Sequence, residues 1–326
     1  MSDLQTTFAG LMLKNPIIIS SSGLTNSAEK NRKLAEAGAG AIVLKSLFEE
    51  QITLEVDQMH HSVYYPEGGD YLLAALRQHK ISEYLMLIKE SKQQCNIPII
   101  ASINCYSENS WETFAKEIEK AGADALEINI LAFQTNQNYT YGSFEQQHIN
   151  ILKNIKKQVR IPVIMKLGSN LTNPIALINQ LFANGAAAVV MFNRFYQPDI
   201  DIDKMVQTGG QVFSGGAELA NSLRWIGIAS SVVEHLDYAA SGGVHTPKDV
   251  IKAILAGASA VEICSTVYKN GSECIKPMLN FLSTWMNDKG YERIYQFKGK
   301  LNVKDVKGIN TFERTQFLRY YGIDNN

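Results

Sequence analysis

Four segments of the chain repeat one pattern, in which a small residue and Gly-Ala precede a nearly continuous apolar run. These segments begin at Ala37, Ala121, Asn184 and Ala256. Glycine closes a helix well because it tolerates positive φ, and a continuous apolar run is typical of a parallel strand that is covered on both faces. Each segment therefore predicts the end of a helix followed by a buried strand.

Four further apolar runs complete the set of predicted strands: Pro16–Ile19, Ile97–Ile103, Ile161–Leu167 and Leu236–Ala240. Stretches of helical period separate the strands; from Trp111 to Ile118, apolar residues recur at the i, i+3, i+4 and i+7 spacing of an amphipathic helix. Eight strands that alternate with helices predict an α/β fold, a TIM (β/α)8 barrel in which residues 1–326 form a single domain, because closure leaves no edge strand. A doubly wound open sheet is the alternative.

Two stretches interrupt this alternation, and we expect them to be excursions after the second and sixth strands. Glu49–Arg77 is rich in His, Tyr and Gly, whereas Phe192–Phe213 carries Tyr, Pro and several Asp. Both follow predicted strand ends, which is where the active-site loops of barrels lie.

The composition narrows the classes of function. Hydrophobic residues make up 45% of the 326 residues and charged residues 19%, which is enough for a large core. A net charge of -1 gives the whole molecule no attraction to nucleic acid or to an anionic membrane, so any bound phosphate must be held locally. Neither a signal peptide nor a membrane-length apolar run is evident, and the four cysteines form no CxxC pair. We therefore expect a cytoplasmic protein with reduced thiols and no metal site.

Near the carboxyl terminus, two strand ends carry the residues of a phosphate site. Gly242 and Gly243 follow one predicted strand and precede a helix that Thr246 can cap, and Ser265 and Thr266 follow the next strand. In barrels the loops after the last two strands often bind phosphate, because paired glycines let the backbone approach the oxygens closely. The alternative is that these residues form only a turn and a second cap.

Lysines and asparagines end five other predicted strands. Lys45 and Lys166 each follow an apolar run and would be poorly hydrated at a barrel mouth, where they need an anionic or electron-rich partner, such as the N1–C2=O edge of a reduced flavin. Alternatively, one of the two lysines could form a Schiff base, or each could reach solvent or pair with a loop carboxylate. Asparagine offers both a donor and an acceptor, which suits the polar edge of a flavin or pyrimidine ring, although asparagines also cap loops. The three asparagines are Asn104, Asn129 and Asn193.

Over nearly its whole length the chain resembles the dihydroorotate dehydrogenase family, particularly the soluble class. The segment Lys14-Asn-Pro-Ile-Ile-Ile-Ser-Ser-Ser-Gly is similar to the family's first strand, Lys45-Ser46 to its Lys-Ser pair and Phe213-Ser-Gly-Gly-Ala to its glycine-rich loop. The resemblance implies FMN as the cofactor and a homodimer. It assigns FMN binding to Ser21, Ser22, Gly23, Lys45, Ser46, Asn104, Asn129, Lys166, Ser214, Gly215, Gly216, Gly242, Gly243, Ser265 and Thr266.

The chain departs from the family where the substrate reacts. Ala132 stands where the family has a catalytic Cys or Ser, Gln134 replaces an asparagine that binds substrate, and Arg194 follows Asn193 in place of a polar residue. Alanine cannot accept a proton, so another group must serve as the base if the enzyme is active. The candidates are Cys105, His60, His61 and the tyrosines Tyr64, Tyr65, Tyr106, Tyr139 and Tyr141, each of which can equally be a loop, lid or packing residue.

Three functions remain open. The first is an FMN oxidoreductase that acts on a CH–CH or C=C bond of a small polar substrate, such as a pyrimidine or an unsaturated carboxylate, held by Asn193, Arg194 and Gln134. The second is a flavin-binding protein without turnover, in a regulatory or assembly role, which the loss of the base favours. The third is a Schiff-base lyase that uses Lys166.

Overall fold

The computed structural model describes residues 2–48, 69–104 and 112–304. Eight parallel strands form a closed ring, in which each strand pairs with its neighbours in sequence and the last pairs with the first. The strands are β1 (Ile17–Ile19), β2 (Ala41–Val43), β3 (Ile99–Asn104), β4 (Ala125–Ile130), β5 (Val163–Gly168), β6 (Ala188–Asn193), β7 (Asp237–Ser241) and β8 (Ala260–Ile263). The predicted TIM barrel is therefore confirmed.

Helices cover the outside of the barrel. Their bounds are Ala28–Glu36, Gly69–Gln94, Glu112–Ala121, Ser143–Lys156, Pro174–Ala183, Leu219–Val232, Pro247–Ala256, Ser265–Asn270 and Ile275–Asp288. The four glycines of the repeated pattern, Gly38, Gly122, Gly185 and Gly257, lie after helix ends and have positive φ, as the pattern predicts. Pro247 opens its helix, and the Asp249 carboxylate accepts hydrogen bonds from the Thr246 backbone and side chain.

An apolar plug closes the lower half of the barrel. Every strand contributes to it, with side chains such as Ile18, Ile100 and Ile164, and Phe8 and Leu13 seal it from below. The last two belong to an antiparallel hairpin that pairs Thr6–Phe8 with Leu11–Leu13. Since alternate side chains of a strand face the same side, the next inward positions lie one layer higher, at the carboxyl ends of the strands. That layer is polar and holds the candidate site.

The two predicted excursions differ in how much of them the structure describes. Within the second, Pro198–Asp201 pairs with Val206–Gly209 as an antiparallel hairpin that projects from the end of β6. Of the first, residues 49–68 lie outside the described residues, and from Gly69 onwards the chain is already in the helix Gly69–Gln94. The helix therefore takes up the end of the stretch that we expected to be an excursion.

Candidate active site at the carboxyl ends of the strands

A cavity of about 400 Å³ opens at the carboxyl ends of the strands, within the size range of ligand sites. Most of the residues singled out from the sequence line it: Ser21, Ser22, Lys45, Ser46, Asn129, Lys166, Asn193, Arg194, Ser214, Gly242, Gly243, Ser265 and Thr266. Gly23, Asn104, Gln134, Gly215 and Gly216 are outside its lining, and Gln134 is exposed on the surface. The candidate bases His60, His61, Tyr64, Tyr65, Cys105 and Tyr106 lie outside the described residues.

The floor of the cavity holds one lysine between two glutamates. The Lys166 ammonium donates to Glu262 Oε2 at 2.5 Å and to Ser20 Oγ at 2.9 Å, and its Nζ lies 3.6 Å from Glu127 Oε1. Ser20 Oγ in turn donates to Glu262 Oε2 at 2.9 Å. All four side chains are almost fully buried. Buried charges are stable only when paired and hydrogen bonded, so these residues form one electrostatic unit.

The three charged groups of this unit shift one another's protonation. Burial, followed by the negative charge of Glu262, raises the pKa of Glu127 well above its usual range. Burial also acts to raise the pKa of Glu262, but Lys166 and the hydrogen bonds of that carboxylate hold it below its ordinary value. For Lys166, burial acts to lower the pKa, and the two carboxyls outweigh it and raise the pKa. At neutral pH we therefore take Lys166 and Glu262 as charged and Glu127 as a neutral acid.

Sequence reasoning missed Glu127 and Glu262, although the signal for both was present. Each occupies the same position in its copy of the repeated pattern, Ala-Leu-Glu-Ile in one and Ala-Val-Glu-Ile in the other. A carboxylate inside an otherwise apolar parallel strand is costly unless a partner is near. Lys166 on β5 is that partner, and the two glutamates are in turn the anionic groups that this buried lysine contacts.

A row of hydroxyl groups joins the floor to the wall of the cavity. Ser102 Oγ lies 3.5 Å from Glu127 Oε1 and 2.7 Å from Ser46 Oγ, and Ser46 Oγ lies 2.9 Å from Ser21 Oγ. The Tyr84 hydroxyl fixes the backbone of Ser102, because it donates to the Ser102 carbonyl and accepts from its amide. Burial raises the pKa of Tyr84, so it stays a neutral donor.

The two predicted halves of the phosphate site converge. Ser265 Oγ accepts from the Ser214 amide at 3.0 Å, and Ser214 Oγ accepts from the Gly243 amide at 3.4 Å. His245 joins them, with its Nε2 3.1 Å from Ser214 Oγ and its Nδ1 3.3 Å from Thr266 Oγ1. Lys269 approaches from outside and donates to the Ser214 carbonyl. His245 and Lys269 were not predicted, and both bring donors to this cluster.

We call the cluster of Ser214, Gly243, Ser265 and Thr266 the cradle. Gly243 shows how closely its backbone packs. Its φ is +75°, and an added Cβ would come within 2.4 Å of the Leu219 amide nitrogen and 3.0 Å of the Gly215 carbonyl oxygen. Only glycine fits such a position. The loop after β7 therefore lies directly against the start of the helix Leu219–Val232, an arrangement in which backbone amides can face an anion.

Arg194 at the end of β6 clamps the glycine-rich segment. Its Nε lies 3.0 Å from Glu218 Oε2, and its two terminal nitrogens donate to the carbonyls of Gln211 and Val212. Glu218 also accepts from the Gly215 amide at 2.9 Å. The guanidinium is thus engaged with protein atoms on several of its donors, while the residue still lines the cavity. Its predicted role in binding substrate stays a prediction.

The remaining polar side chains of the wall include the amides of Asn129 and Asn193 and the ammonium of Lys45. Asn193 donates from Nδ2 to Asn129 Oδ1 at 2.9 Å, which orients both amides. Lys45 is half-buried, and no carboxylate among the described residues pairs with it. An ammonium beside a cavity that has no carboxylate partner in the described part of the chain can receive an anionic or electron-rich group.

The segment after β4 holds the position where a base was expected. Ala132 is half-buried, and its carbonyl accepts from the Asn170 side chain at 3.0 Å. Tyr139 follows on the same segment and its hydroxyl lies 3.4 Å from Glu145, whereas Tyr141 is 96% exposed. Neither tyrosine lines the cavity. Within the described residues, the acidic group that does line it is the pair Glu127 and Glu262.

The fold and the site define a class of protein: a single-chain (β/α)8 barrel whose mouth joins a candidate anion cradle to a polar, lysine-bearing cavity. Comparison with known sequences then gives the family. The profile of the family described as "Dihydroorotate dehydrogenase" matches residues 3–286, and the chain belongs to this family. Its members are flavoproteins and oxidoreductases.

Relatives of known name match most of the chain. The catalytic subunit of dihydroorotate dehydrogenase B (NAD(+)) from Thermoplasma volcanium is 29% identical over 92% of this chain and 98% of its own length. The protein of the same name from Methanocella arvoryzae is 31% identical over 80% of this chain and 86% of its own. The NAD-dependent dihydropyrimidine dehydrogenase subunit PreA of Escherichia coli K12 is 24% identical over 92% of this chain and 77% of its own.

Two further features are absent from the described part of the chain. None of the helices in this part of the chain combines the length and apolar character needed to cross a membrane. Among the same residues, no group of three or more His, Cys, Asp or Glu side chains is arranged to hold a metal ion. Cys95, Cys264 and Cys274 are free thiols.

Proposed function

We propose that this protein is an FMN-dependent oxidoreductase that acts on the CH–CH or C=C bond of a small polar substrate, a pyrimidine or a related unsaturated carboxylate. The observation that carries the proposal is the convergence of the Gly243 cradle and the two lysines Lys45 and Lys166 on one cavity. A phosphate anchor and cationic groups at a ring edge are what a flavin mononucleotide requires.

The residues present fit this cofactor. The backbone of Gly243 and the hydroxyls of Ser214, Ser265 and Thr266 would hold the phosphate, because these groups lie together at the cavity. Gly243 leaves no room for a side chain, which would meet the backbone of Leu219 and Gly215. Lys45, Lys166 and Asn129 would meet the ring, where cations stabilise negative charge. When bound, the flavin supplies the transfer of a hydride to or from a substrate carbon.

The names of the relatives support the substrate class. One is a dehydrogenase of dihydroorotate and another a dehydrogenase of dihydropyrimidine, so both names describe a dihydro substrate. In this chain Asn193 and Arg194 would face such a substrate with amide and guanidinium groups. The homodimer, the cytoplasmic location and the binding role of Gln134 rest on the resemblance or the sequence alone and stay predictions.

One observation favours a second function, a flavin-binding protein without turnover. Ala132 offers no group that can accept a proton from a substrate carbon, and general acid–base catalysis typically contributes about 10²–10⁴-fold to a rate. This alternative predicts the same bound flavin and no reaction with any substrate. Only a measurement of turnover therefore distinguishes the inert flavin binder from the enzyme.

The Schiff-base lyase has less support. An amine that attacks a carbonyl must be neutral, which usually requires a lowered pKa. Although burial acts to lower it, the carboxyls of Glu127 and Glu262 raise the pKa of Lys166 above its ordinary value. The ammonium is therefore held in its protonated form.

Anaerobic absorbance spectroscopy tests the proposal. The purified protein should release FMN on denaturation, and the flavin spectrum of the native protein should bleach when a dihydropyrimidine or a saturated ring carboxylate is added. Bound FMN that no candidate substrate bleaches would support the inert flavin binder instead. Normal FMN content and normal redox behaviour in both Lys45→Ala and Lys166→Ala would contradict the roles given to these lysines.

A further inference from the structure

Two buried oxygen atoms at the floor of the cavity receive no hydrogen bond from any described residue. They are Glu127 Oε2 and Glu262 Oε1, and each belongs to a side chain that is at most 2% exposed. A buried acceptor without a donor costs free energy, and carboxylates can supply no proton of their own when ionised. A proton on one carboxyl supplies the donor that two ionised carboxylates lack, and the two side chains are close enough for each to shift the pKa of the other.

The surrounding charges determine which carboxyl carries that proton. Glu262 holds the close contact with Lys166 and accepts from Ser20, whereas Lys166 Nζ is 3.6 Å from Glu127. Among the described residues, the other titratable groups near the pair are the hydroxyl of Tyr84, which stays neutral, and the thiol of Cys264, whose pKa burial raises. Glu262 therefore keeps the negative charge and Glu127 the proton.

The stored proton has a path to the cavity. The hydroxyls of Ser102, Ser46 and Ser21 lie in a row from Glu127 to the wall, with Oγ–Oγ distances of 2.7 and 2.9 Å. The link from Ser102 to Glu127, at 3.5 Å, is the longest. Hydroxyl groups both donate and accept, so such a row can pass a proton without any group leaving its place.

We propose that Glu127 stores the proton that substrate reduction consumes and delivers it to the cavity through Ser102, Ser46 and Ser21. This group replaces the missing side chain at Ala132. The delivery step rests on the proposed function, whereas the stored proton does not.

The step balances. In the reductive direction one carbon of the substrate C=C bond would receive the hydride that a bound, reduced flavin supplies, and the electron pair of that bond would be left on the other carbon. That carbon takes a proton from Ser21, which is replaced in turn from Ser46, Ser102 and Glu127. The substrate gains two hydrogens, and Glu127 is left as a carboxylate near Lys166 until it takes a proton from water. Oxidation of the dihydro compound runs the same path in reverse.

Infrared spectroscopy tests the stored proton without any substrate. A buried protonated carboxyl gives a C=O stretching band that ionised carboxylates lack and that shifts in D2O. We expect this band in the wild-type protein at neutral pH and its loss in Glu127→Gln. The control is Glu36→Gln, which removes an exposed glutamate and should leave the band. A band that persists in Glu127→Gln would overturn the proposal.

The path is tested by the rate at which that band shifts after transfer to D2O. Ser102→Ala removes the hydroxyl next to Glu127 without changing the cavity lining, and we expect the shift to slow by roughly tenfold, the equivalent of one lost hydrogen bond. Ser91→Ala is the matched control, because it removes an equally buried hydroxyl that bonds to Asn31 on the outer helices. Equal rates in the two serine variants would overturn the path.

Measurements of turnover distinguish a failure of proton delivery from a failure of the proposed function. With an active wild type, Glu127→Gln should slow the reduction of the C=C bond by about 100-fold or more and change its pH profile, with FMN content unchanged. An unchanged rate and profile would overturn the delivery. A wild type with bound FMN and no turnover contradicts the proposed function and the delivery together, whereas the infrared band still decides the stored proton.

Discussion

Lys166 is the cation that neutralises Glu262 at the floor of the cavity, so the charge balance of the floor depends on this single residue. Its ammonium contacts Glu262 at 2.5 Å and Glu127 at 3.6 Å, all within the barrel interior. Breaking a buried ion pair is costly because the remaining charge stays buried without a partner. The floor is therefore both a chemical feature and a determinant of stability.

The first prediction compares the two lysines of the cavity. Lys166→Met should lower the free energy of unfolding by about 3–5 kcal/mol, because it leaves Glu262 charged and unpaired. Lys45→Met should cost less than about 1 kcal/mol, because Lys45 is half-buried and no described carboxylate pairs with it. Urea unfolding of both variants measures the difference, and equal losses would mean that the ion pair does not form.

The second prediction concerns pH. Glu127 keeps its proton in the folded protein, whereas the unfolded chain releases it above the ordinary value of 4.5. As pH rises beyond that value, the stability that this group contributes is lost by up to about 1.4 kcal/mol per pH unit, until the folded pKa is reached.

Glutamine cannot ionise, so the stability of Glu127→Gln relative to the wild type should rise between about pH 5 and pH 8. Urea unfolding at several pH values measures this difference. A difference that stays constant over the range would show that Glu127 is ionised in the folded protein.

The third prediction uses two glycines with the same backbone conformation. Gly243 and Gly290 have φ of +75° and +73°, but an added Cβ clashes with backbone only at Gly243, while at Gly290 it meets open space. Both alanine variants should lose about 1–2 kcal/mol from the left-handed conformation. Only Gly243→Ala should also lose bound FMN, measured as flavin released per chain. Equal FMN contents would place the phosphate elsewhere.

At the scale of elements, the positions of the strands and the repeated helix ends were predictable, because their apolar runs and glycines carry strong local signals. The hairpin Pro198–Gly209 was not recognised, because its residues are largely exposed and carry little periodic pattern. The pair Glu127 and Glu262 lies 135 positions apart in sequence (262 − 127), and only closure of the barrel brings them together. The clamp formed by Arg194 was likewise not predictable, since two of its partners are backbone carbonyls that no sequence pattern marks.

The fourth prediction tests that clamp. Arg194→Lys keeps the charge but loses the planar fork that reaches Gln211, Val212 and Glu218 together. We expect the glycine-rich segment to loosen and the dissociation constant for FMN to rise about tenfold, as the loss of one charged hydrogen bond implies. Fluorescence titration with FMN measures the dissociation constant. The control is Arg32→Lys, because Arg32 forms an exposed ion pair with Glu36. A normal FMN affinity with a raised KM for substrate would instead support the predicted role of Arg194 in substrate binding.

At the scale of the whole molecule, the closed barrel collects into one layer the polar residues that the sequence scatters over the chain. The inward positions next to the apolar plug supply Ser20, Ser102, Glu127, Lys166 and Glu262 from five different strand ends. Fold class and family follow from patterns that extend along the whole chain. The chemistry of the site depends on single side chains such as Glu127 and Lys166, so the family alone does not determine it.

Calorimetric titration of the flavin-free protein with FMN and with riboflavin tests the central claim most directly. The two ligands share the ring and differ in the phosphate, which the cradle at Gly243 would hold. We predict one FMN bound per chain and riboflavin at least about tenfold weaker, since charged hydrogen bonds to the phosphate are lost. No binding of FMN, or equal affinities for the two flavins, would contradict the account.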